Sequence, residues 1–197
     1  MKYLLCLTFV LSIMAPTAHA AVSPVSFGIA PPVQFPPSDF TVTGVRVSAL
    51  WGRHRNIYGI DIGGIGNITD GDFTGLAIAG GFNLTHQTTN AIGMQAAGFG
   101  NFNTNKATVT GIQLAGIINK NDAESAVNGV QFALVNMAEH TTIRGLQVGV
   151  YNRAGSVYGL QLGLVNRCDN LHGLQIGLIN FHHKGTFVVS PILNFGF

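Results

Sequence analysis

The chain has 197 residues, of which 47% are hydrophobic and only 9% charged, with a formal net charge of +2; an ordinary soluble domain carries about 25% charged residues. No basic patch and no interleaving of basic with aromatic residues is present, which excludes an electrostatic nucleic-acid binder. A surface this poor in charge either meets lipid or uses Gln, Asn and Gly in place of charge to stay in water.

Residues 1–20 read as an export signal. Lys2 gives the positive start, Tyr3 to Met14 the short apolar stretch, and Ala18-His19-Ala20 the small-x-small cleavage site. The stretch is too short for a membrane-spanning helix. Cys6 leaves with the signal, so Cys168 is expected alone, without an internal disulfide, as an unreactive bystander in a turn beside Asp169-Asn170. Residues 21–40 carry Pro24, Pro31, Pro32, Pro36 and Pro37 and are expected to form an extended leader, not a strand.

Residues 41–197 form the repeat domain. Between Gly59 and Asn180 one phrase recurs: Gly, an apolar residue, usually Gln, apolar or Gly residues, then Asn. Clear copies are Gly145-Leu-Gln-Val-Gly-Val-Tyr-Asn152, Gly159-Leu-Gln-Leu-Gly-Leu-Val-Asn166 and Gly173-Leu-Gln-Ile-Gly-Leu-Ile-Asn180. A degenerate last copy ends at Asn194. Repetition of this kind fixes architecture before any single residue is weighed. Within a copy the period is two, with Val157, Gly159, Gln161, Gly163 and Val165 on one face and Tyr158, Leu160, Leu162, Leu164 and Asn166 on the other. A glycine every few residues, each costing a helix about 1 kcal/mol, argues against helix.

The connectors, among them Asp70-Gly71-Asp72, Asn119-Lys-Asn-Asp122 and Cys168-Asp-Asn170, are short and polar, and the repeat spacing shortens from eighteen residues to fourteen. This predicts an all-β fold with about ten strands, near 41–54, 56–68, 73–85, 91–102, 108–119, 126–137, 142–153, 157–167, 171–182 and 186–197. Phe195 and Phe197 end the last strand as a C-terminal aromatic pattern like the targeting signal of outer-membrane barrels.

The Gly-φ-Gln-φ-Gly-φ-φ-Asn phrases, the opening Ile57-Tyr-Gly-Ile-Asp-Ile-Gly-Gly and the ending Pro191-Ile-Leu-Asn-Phe-Gly-Phe197 resemble the bacterial surface repeat-containing proteins known from spirochaetes and other Gram-negative bacteria. The resemblance covers about residues 41–197. It implies a surface or outer-membrane location and no enzyme activity.

Two architectures fit the pattern. In an antiparallel up-and-down β-barrel, Leu, Ile and Val face lipid and the lumen holds Gly with Gln95, Gln113, Gln131, Gln147, Gln161 and Gln175. In a parallel β-solenoid the copies stack in register, Leu points inward, and Gln and Asn form ladders. The charge deficit, the terminal Phe and the even strand count favour the barrel, whereas Pro191 and the Asn series favour the solenoid. The apolar stripe is three or four residues per strand, so any membrane band is thin.

The expected function is therefore an exported structural barrel of the outer membrane, a narrow pore at most, with membrane lipid and the barrel-assembly machinery as partners. The alternative is a secreted or surface-attached solenoid that binds a partner such as a polysaccharide through its Gln/Asn face.

Catalytic signals are few. His54, His86, His140, His172, His182 and His183 read as surface turn residues, and no metal-ligand spacing is visible. Neither a nucleophile elbow nor a phosphate loop is formed: Gly63-Gly-Ile-Gly66 and Gly80-Gly81 belong to the repeat. No cofactor or metal is expected. Asp61 is the acid at a Gln position, with Arg46 or Arg144 as candidate partner, and Trp51, Tyr58, Tyr151 and Phe181 are candidates for an interfacial girdle.

Overall fold

The computed structural model describes residues 21–197 apart from positions 88 and 123; the proposed signal, residues 1–20, lies outside the described residues. The strands in chain order are β1 (Val22–Ala30), β2 (Val33–Phe35), β3 (Thr41–Ser48), β4 (Trp51–His54), β5 (Asn56–Gly63), β6 (Gly66–Thr69), β7 (Phe73–Ala79), β8 (Phe82–Thr85), β9 (Thr89–Ala97), β10 (Gly100–Asn103), β11 (Ala107–Ala115), β12 (Ile118–Asn121), β13 (Ala126–Phe132), β14 (Val135–Val148), β15 (Tyr151–Leu162), β16 (Val165–His182) and β17 (Val189–Gly196).

The fold is a parallel β-solenoid, not an up-and-down barrel. Strands β3, β5, β7, β9, β11 and β13 pair in parallel, each with its counterpart one coil on. Strands β4, β6, β8, β10 and β12 form a second parallel ladder. From β14 to β16 the repeats shorten by two and then four residues, and the strands run through without a separate connector. Each of these strands serves the second ladder with its first half and the first ladder with its second. Register is like on like: Gly145 sits opposite Gly159 and Gly173, and Gln147 opposite Gln161 and Gln175.

The first nine of the ten long strands expected from the sequence are each a whole coil bent in the middle, and the tenth is the single antiparallel strand β17. The bend is a small residue, Gly in most coils and Ala in Ala49-Leu50 and Ala133-Leu134, usually followed by an exposed apolar one; at Gly163-Leu164, Gly163 N donates to Ile176 O and Leu164 N to Val150 O of neighbouring coils. A barrel pairs each long strand antiparallel to the next. Here two residues of turn fold each phrase onto itself and direct all pairing to the next copy.

The bend also resets the alternation. Gln161 and Asn166 are both fully buried although five apart, while Leu164 is exposed. Leu160 and Leu162 are half-buried on the outer side of their strand. So the solenoid expectation of inward Leu is corrected: the interior takes the Gln and Asn, and the leucines face out. Buried polar residues outnumber buried apolar ones among the described residues. The apolar part of the core is one column, including Val42, Ile57, Phe73, Val109, Val127, Ile143, Val157 and Leu171, backed by Ala138, Ala154 and Cys168.

The repeat glycine is demanded by geometry. Gly129 has φ of 147°, a region L side chains rarely adopt, and a Cβ there would lie 1.9 Å from the carbonyl oxygen of Gly111.

Both ends are capped, as a solenoid requires. The Pro-rich segment is a strand hairpin rather than a free leader. β1 adds parallel to β3, with a register shift at Pro24, and β2 folds back antiparallel on β1 across the Pro31-Pro32 turn. Gln34 then closes the edge of β4, donating to Arg53 O at 2.7 Å and accepting from Arg53 N at 3.2 Å. At the other end β17 lies antiparallel to β16 and holds Pro191 on the terminal edge, so the segment ending at Asn194 is a cap and not a further parallel copy.

Candidate functional site

The interior is organised by two amide ladders. In the first, Gln113 donates Nε2 to Gln95 Oε1 (2.9 Å), Gln131 to Gln113 (2.7 Å), Gln147 to Gln131 (2.8 Å), Gln161 to Gln147 (2.7 Å) and Gln175 to Gln161 (2.7 Å). In the second, Asn67, Asn83, Asn101, Asn119, Asn136, Asn152 and Asn166 each donate Nδ2 to the Oδ1 of the next Asn, the last to Asn180, at 2.8–3.0 Å.

The second hydrogen of each Asn amide is also used. Asn152 donates to Leu162 O (2.8 Å) and Asn166 to Ile176 O (2.9 Å), which ties the second ladder to the end of the first-ladder strand that follows. Since only the nitrogen can donate to a carbonyl, this bond fixes the sense of the Asn ladder. A short third column, Thr85 to Asn103 and Asn103 to Asn121, both at 2.6 Å, fills the eighteen-residue coils.

All six predicted glutamines therefore sit in one column, but it is sealed. Gln113, Gln131, Gln147, Gln161 and Gln175 have no exposed surface and Gln95 almost none. They line no lumen, and neither they nor the Asn series form a face that a polysaccharide can reach. Asn67 and Asn83, which match a glycosylation pattern, are buried as well.

At the N-terminal end the glutamine column gives way to an ion pair. Arg46 meets Asp61 with both nitrogens, Nε to Oδ1 at 2.7 Å and Nη2 to Oδ2 at 2.6 Å, with neither side chain accessible. Of the two candidate partners for Asp61, Arg46 is the one used. Burial raises the Asp61 carboxyl and the guanidinium pulls against it. Arg46 Nη1 also donates to Ile68 O and lies 3.2 Å from His54 Nδ1, while His54 Nε2 lies 3.1 Å from Pro36 O. That pattern requires a neutral imidazole with its proton on Nε2. Desolvation, reinforced by Arg46, lowers the His54 pKa from 6.5 to about 4.

Two histidines thus depart from the surface-turn expectation: His54 is fully buried, and His182 is buried and accepts from Leu171 N at 3.1 Å. Cys168 is likewise not in a turn. It lies buried in β16, accepts from Gln175 at 3.4 Å, and burial followed by the Asp169 charge pushes its thiol up to about 12. Among the described residues no group of three or more His, Cys, Asp or Glu converges as metal ligands would.

On the outside, the Leu, Ile and Val residues expected to face outward on a barrel wall form columns along the solenoid instead. The outer face of the first ladder carries unbroken apolar columns, including Val45, Ile60, Ile112 and Leu174 in one and Val47, Ile62, Ile78, Phe132 and Ile176 in the next, all at least 40% exposed. The bend adds a third column, Leu50, Ile65, Phe99, Ile117, Leu134, Val150, Leu164 and Leu178. Beyond it, the first outward position of the second ladder gives Trp51, Phe82, Ile118, Val135, Tyr151, Val165 and Ile179. The apolar surface therefore wraps the bend edge from three sides.

At the N-terminal hairpin this surface deepens to an open groove of about 700 Å³ lined by Phe27, Val33, Phe35 and Val47. Phe195 and Phe197 continue it at the other end, exposed on and just beyond β17 with ring centroids 5.7 Å apart.

Charge is segregated to the opposite edge. Among the described residues, every charged side chain except the internal Arg46–Asp61 pair lies in a connector, in the N-terminal cap segment, or within two or three residues of a connector. Where the first-ladder strands leave that edge, Tyr158 stacks on His172 (centroids 4.4 Å apart, planes at 10°) and the Arg144 guanidinium lies 5.7 Å from the Tyr158 ring centre. Tyr58 occupies the equivalent outward position, before the repeat glycine, in an early coil.

Comparison with protein-family models, curated proteins and solved structures finds no match, so function is argued from this geometry alone.

Proposed function

We propose that this chain is an exported, non-catalytic structural β-solenoid of the bacterial surface, held against the outer membrane through its outward apolar faces. The observation that carries this reading is the reversal of polarity: amides and an ion pair inside, leucine, isoleucine, valine and phenylalanine outside. Soluble monomers rarely expose contiguous apolar patches beyond a few hundred Å², and here the patch runs through successive coils. Among the described residues the interior is occupied by the two amide ladders and the apolar column; a pore is not part of the proposal, and neither is the barrel-assembly machinery, because the fold is a solenoid and not a closed barrel.

Fractionation tests this reading. Expressed from the full sequence in a Gram-negative host, the protein should sediment with outer membranes, resist a urea wash and be released by detergent. It should run identically boiled and unboiled once extracted, unlike a closed barrel. Recovery in the soluble fraction, or release by urea, overturns the reading.

A further inference from the structure

We infer that the occupant of the apolar surface is the hydrocarbon of a single membrane leaflet, entered edge-first by the bends, with the solenoid axis lying in the membrane plane. The inference rests on the membrane-associated reading above and specifies how that association is made.

Shape argues for lipid over a protein partner. A second copy, or any flat sheet, would cover the outer face of the first ladder. It would leave the bend column and the Trp51–Phe82–Ile118–Val135 row wet. A fluid that closes around an edge covers all three surfaces at once. Lipid also demands that backbone polar groups be satisfied within the protein. Here the coil-to-coil ladders do so, the bends included, as with Leu164 N to Val150 O and Leu178's neighbour Ile179 N to Leu164 O. At the two ends the ladders are closed by β1 and β17, so unpaired backbone is confined to the outer sides of these terminal strands.

Depth argues for one leaflet. From Tyr158 to Leu162 the outward face runs four residues, about 13 Å at about 3.3 Å per residue. The hydrocarbon core of a bilayer is about 30 Å thick, so the apolar strip matches roughly half of it. Spanning is ruled out by the same comparison, because the connector edge carries Asp122, Glu139, Asp169 and Lys184.

The border has the chemistry of a membrane interface. Tyr158 and His172 stack where the apolar strip ends, with Arg144 beside them, and aromatic rings with a polar tip settle at headgroup level. On the second ladder the polar boundary is nearer the bend, since Arg53, Lys120, Arg153 and Arg167 stand only two residues past the apolar row. Arg53, Lys120 and Arg153 pair there with Asp70, Asp122 and Glu139, which holds this row of charge at the water boundary. The solenoid accordingly tilts, with the first-ladder face deeper.

The chain supplies its own depth probe. Trp51 is the only tryptophan, it follows the Ala49-Leu50 bend, and it is 36% exposed. The purified full chain, with Cys6→Ser, is mixed with vesicles of phosphatidylethanolamine and phosphatidylglycerol whose acyl chains carry bromine either near the headgroup or near the methyl end. Trp51 emission should shift to the blue and be quenched more by the deeper bromines. An environment-sensitive dye on Leu164→Cys should report hydrocarbon, and the same dye on Lys184→Cys should stay in water on the side of addition. A Leu134→Asp/Leu164→Asp chain should bind the vesicles at least roughly a hundredfold more weakly with unchanged far-ultraviolet circular dichroism.

Three results would overturn the inference. If the protein stays in the membrane fraction of cells but Trp51 is not quenched and the Leu164 dye remains wet, the membrane reading survives and edge insertion fails. If the protein is soluble in cells and ignores vesicles, both fail together. If it forms a lipid-independent dimer whose first-ladder face is protected from solvent, the occupant is a second copy.

Discussion

Asn67 and Gln175 stand at opposite ends of the solenoid and share one defect: each leaves its side-chain amide oxygen buried without a hydrogen-bond partner. The defect follows from the sense of the two ladders. The Asn amides donate toward the C-terminal end and the Gln amides toward the N-terminal end, so each column begins with an acceptor that nothing reaches. Running the columns in opposite senses sets their amide dipoles against each other along the axis. The cost is confined to one orphan oxygen per ladder, whatever the number of coils.

This makes the cost of a ladder substitution depend on position. Gln161→Leu leaves Gln147 Oε1 without its donor and adds a second orphan to the column, whereas Gln175→Leu moves the orphan to Gln161 without adding one. A buried unsatisfied acceptor costs about 1–3 kcal/mol. We expect Gln161→Leu to destabilise by about 2–3 kcal/mol and Gln175→Leu by about 1 kcal/mol less, measured by urea unfolding. Equal losses would contradict the directional ladder.

Gly129→Ala tests the glycine column. The added methyl would meet Gly111 O at 1.9 Å in a backbone conformation with φ of 147°, and both the clash and the strained backbone have to be relieved. A loss of more than about 3 kcal/mol is expected, large enough to lower the thermal midpoint or abolish folding. A silent substitution would mean that the coils do not stack glycine on glycine.

His54 gives the N-terminal cap a pH dependence. Its pKa falls from 6.5 to about 4 on folding, so between those values the unfolded chain binds more protons than the folded one. Stability from this group is fully present above pH 6.5 and is lost as pH falls through about 4. After allowance for screening the loss is about 2 kcal/mol. Asp61 acts in the opposite sense, because its pKa is raised and its contribution falls as pH rises through the carboxylate range. Urea unfolding across this window should therefore show a steeper acid loss in the native chain than in His54→Gln.

Cys168 should be chemically silent in the folded protein. With its thiol near 12, the thiolate fraction at pH 8 is about a thousandfold below that of an ordinary cysteine, and only the thiolate reacts. Iodoacetamide labelling of a Cys6→Ser chain should be undetectable natively and complete in urea. Rapid native labelling would place Cys168 outside the interior.

Much of this design was legible in the sequence, and the gaps have one cause. Alternation alone placed Gln161 and Leu162 on opposite faces, and Asp61 stood out as the acid at a Gln position, with Arg46 and Arg144 both open as partners until the structure showed Arg46. Asn166 was misplaced on the leucine side because strict alternation was carried through Gly163-Leu164, which is a bend. That bend has no Asn, Asp or Pro to announce it; it is a glycine and an apolar residue, identical in composition to the strands around it. Once it is missed, one coil reads as one long strand, nine coils and the β17 cap read as ten strands, and antiparallel pairing follows. Inward Gln and outward Leu were expected of a barrel wall, and the solenoid uses the same polarity with its copies stacked instead of ringed. Pro24, Pro31 and Pro32 misled in another way, because an edge strand and its turn tolerate proline where an interior strand does not.

Leu162→Arg separates fold from membrane contact. Leu162 is on the outer face, half-buried only by its column neighbours, and the interior beneath it is closed by Gln161 and Asn152. The arginine can extend into solvent, so the folded chain in detergent or dilute buffer should lose less than about 1 kcal/mol. At a lipid face the same charge costs about 2.5–3.5 kcal/mol, softened where the side chain snorkels to the headgroups. Unfolding in urea should thus be nearly unchanged while vesicle partitioning falls by between tenfold and a hundredfold. Had leucine formed the core, the order would reverse, with collapse of the fold. If both measurements stay at the level of the unsubstituted chain, the first-ladder face does not meet lipid at this coil.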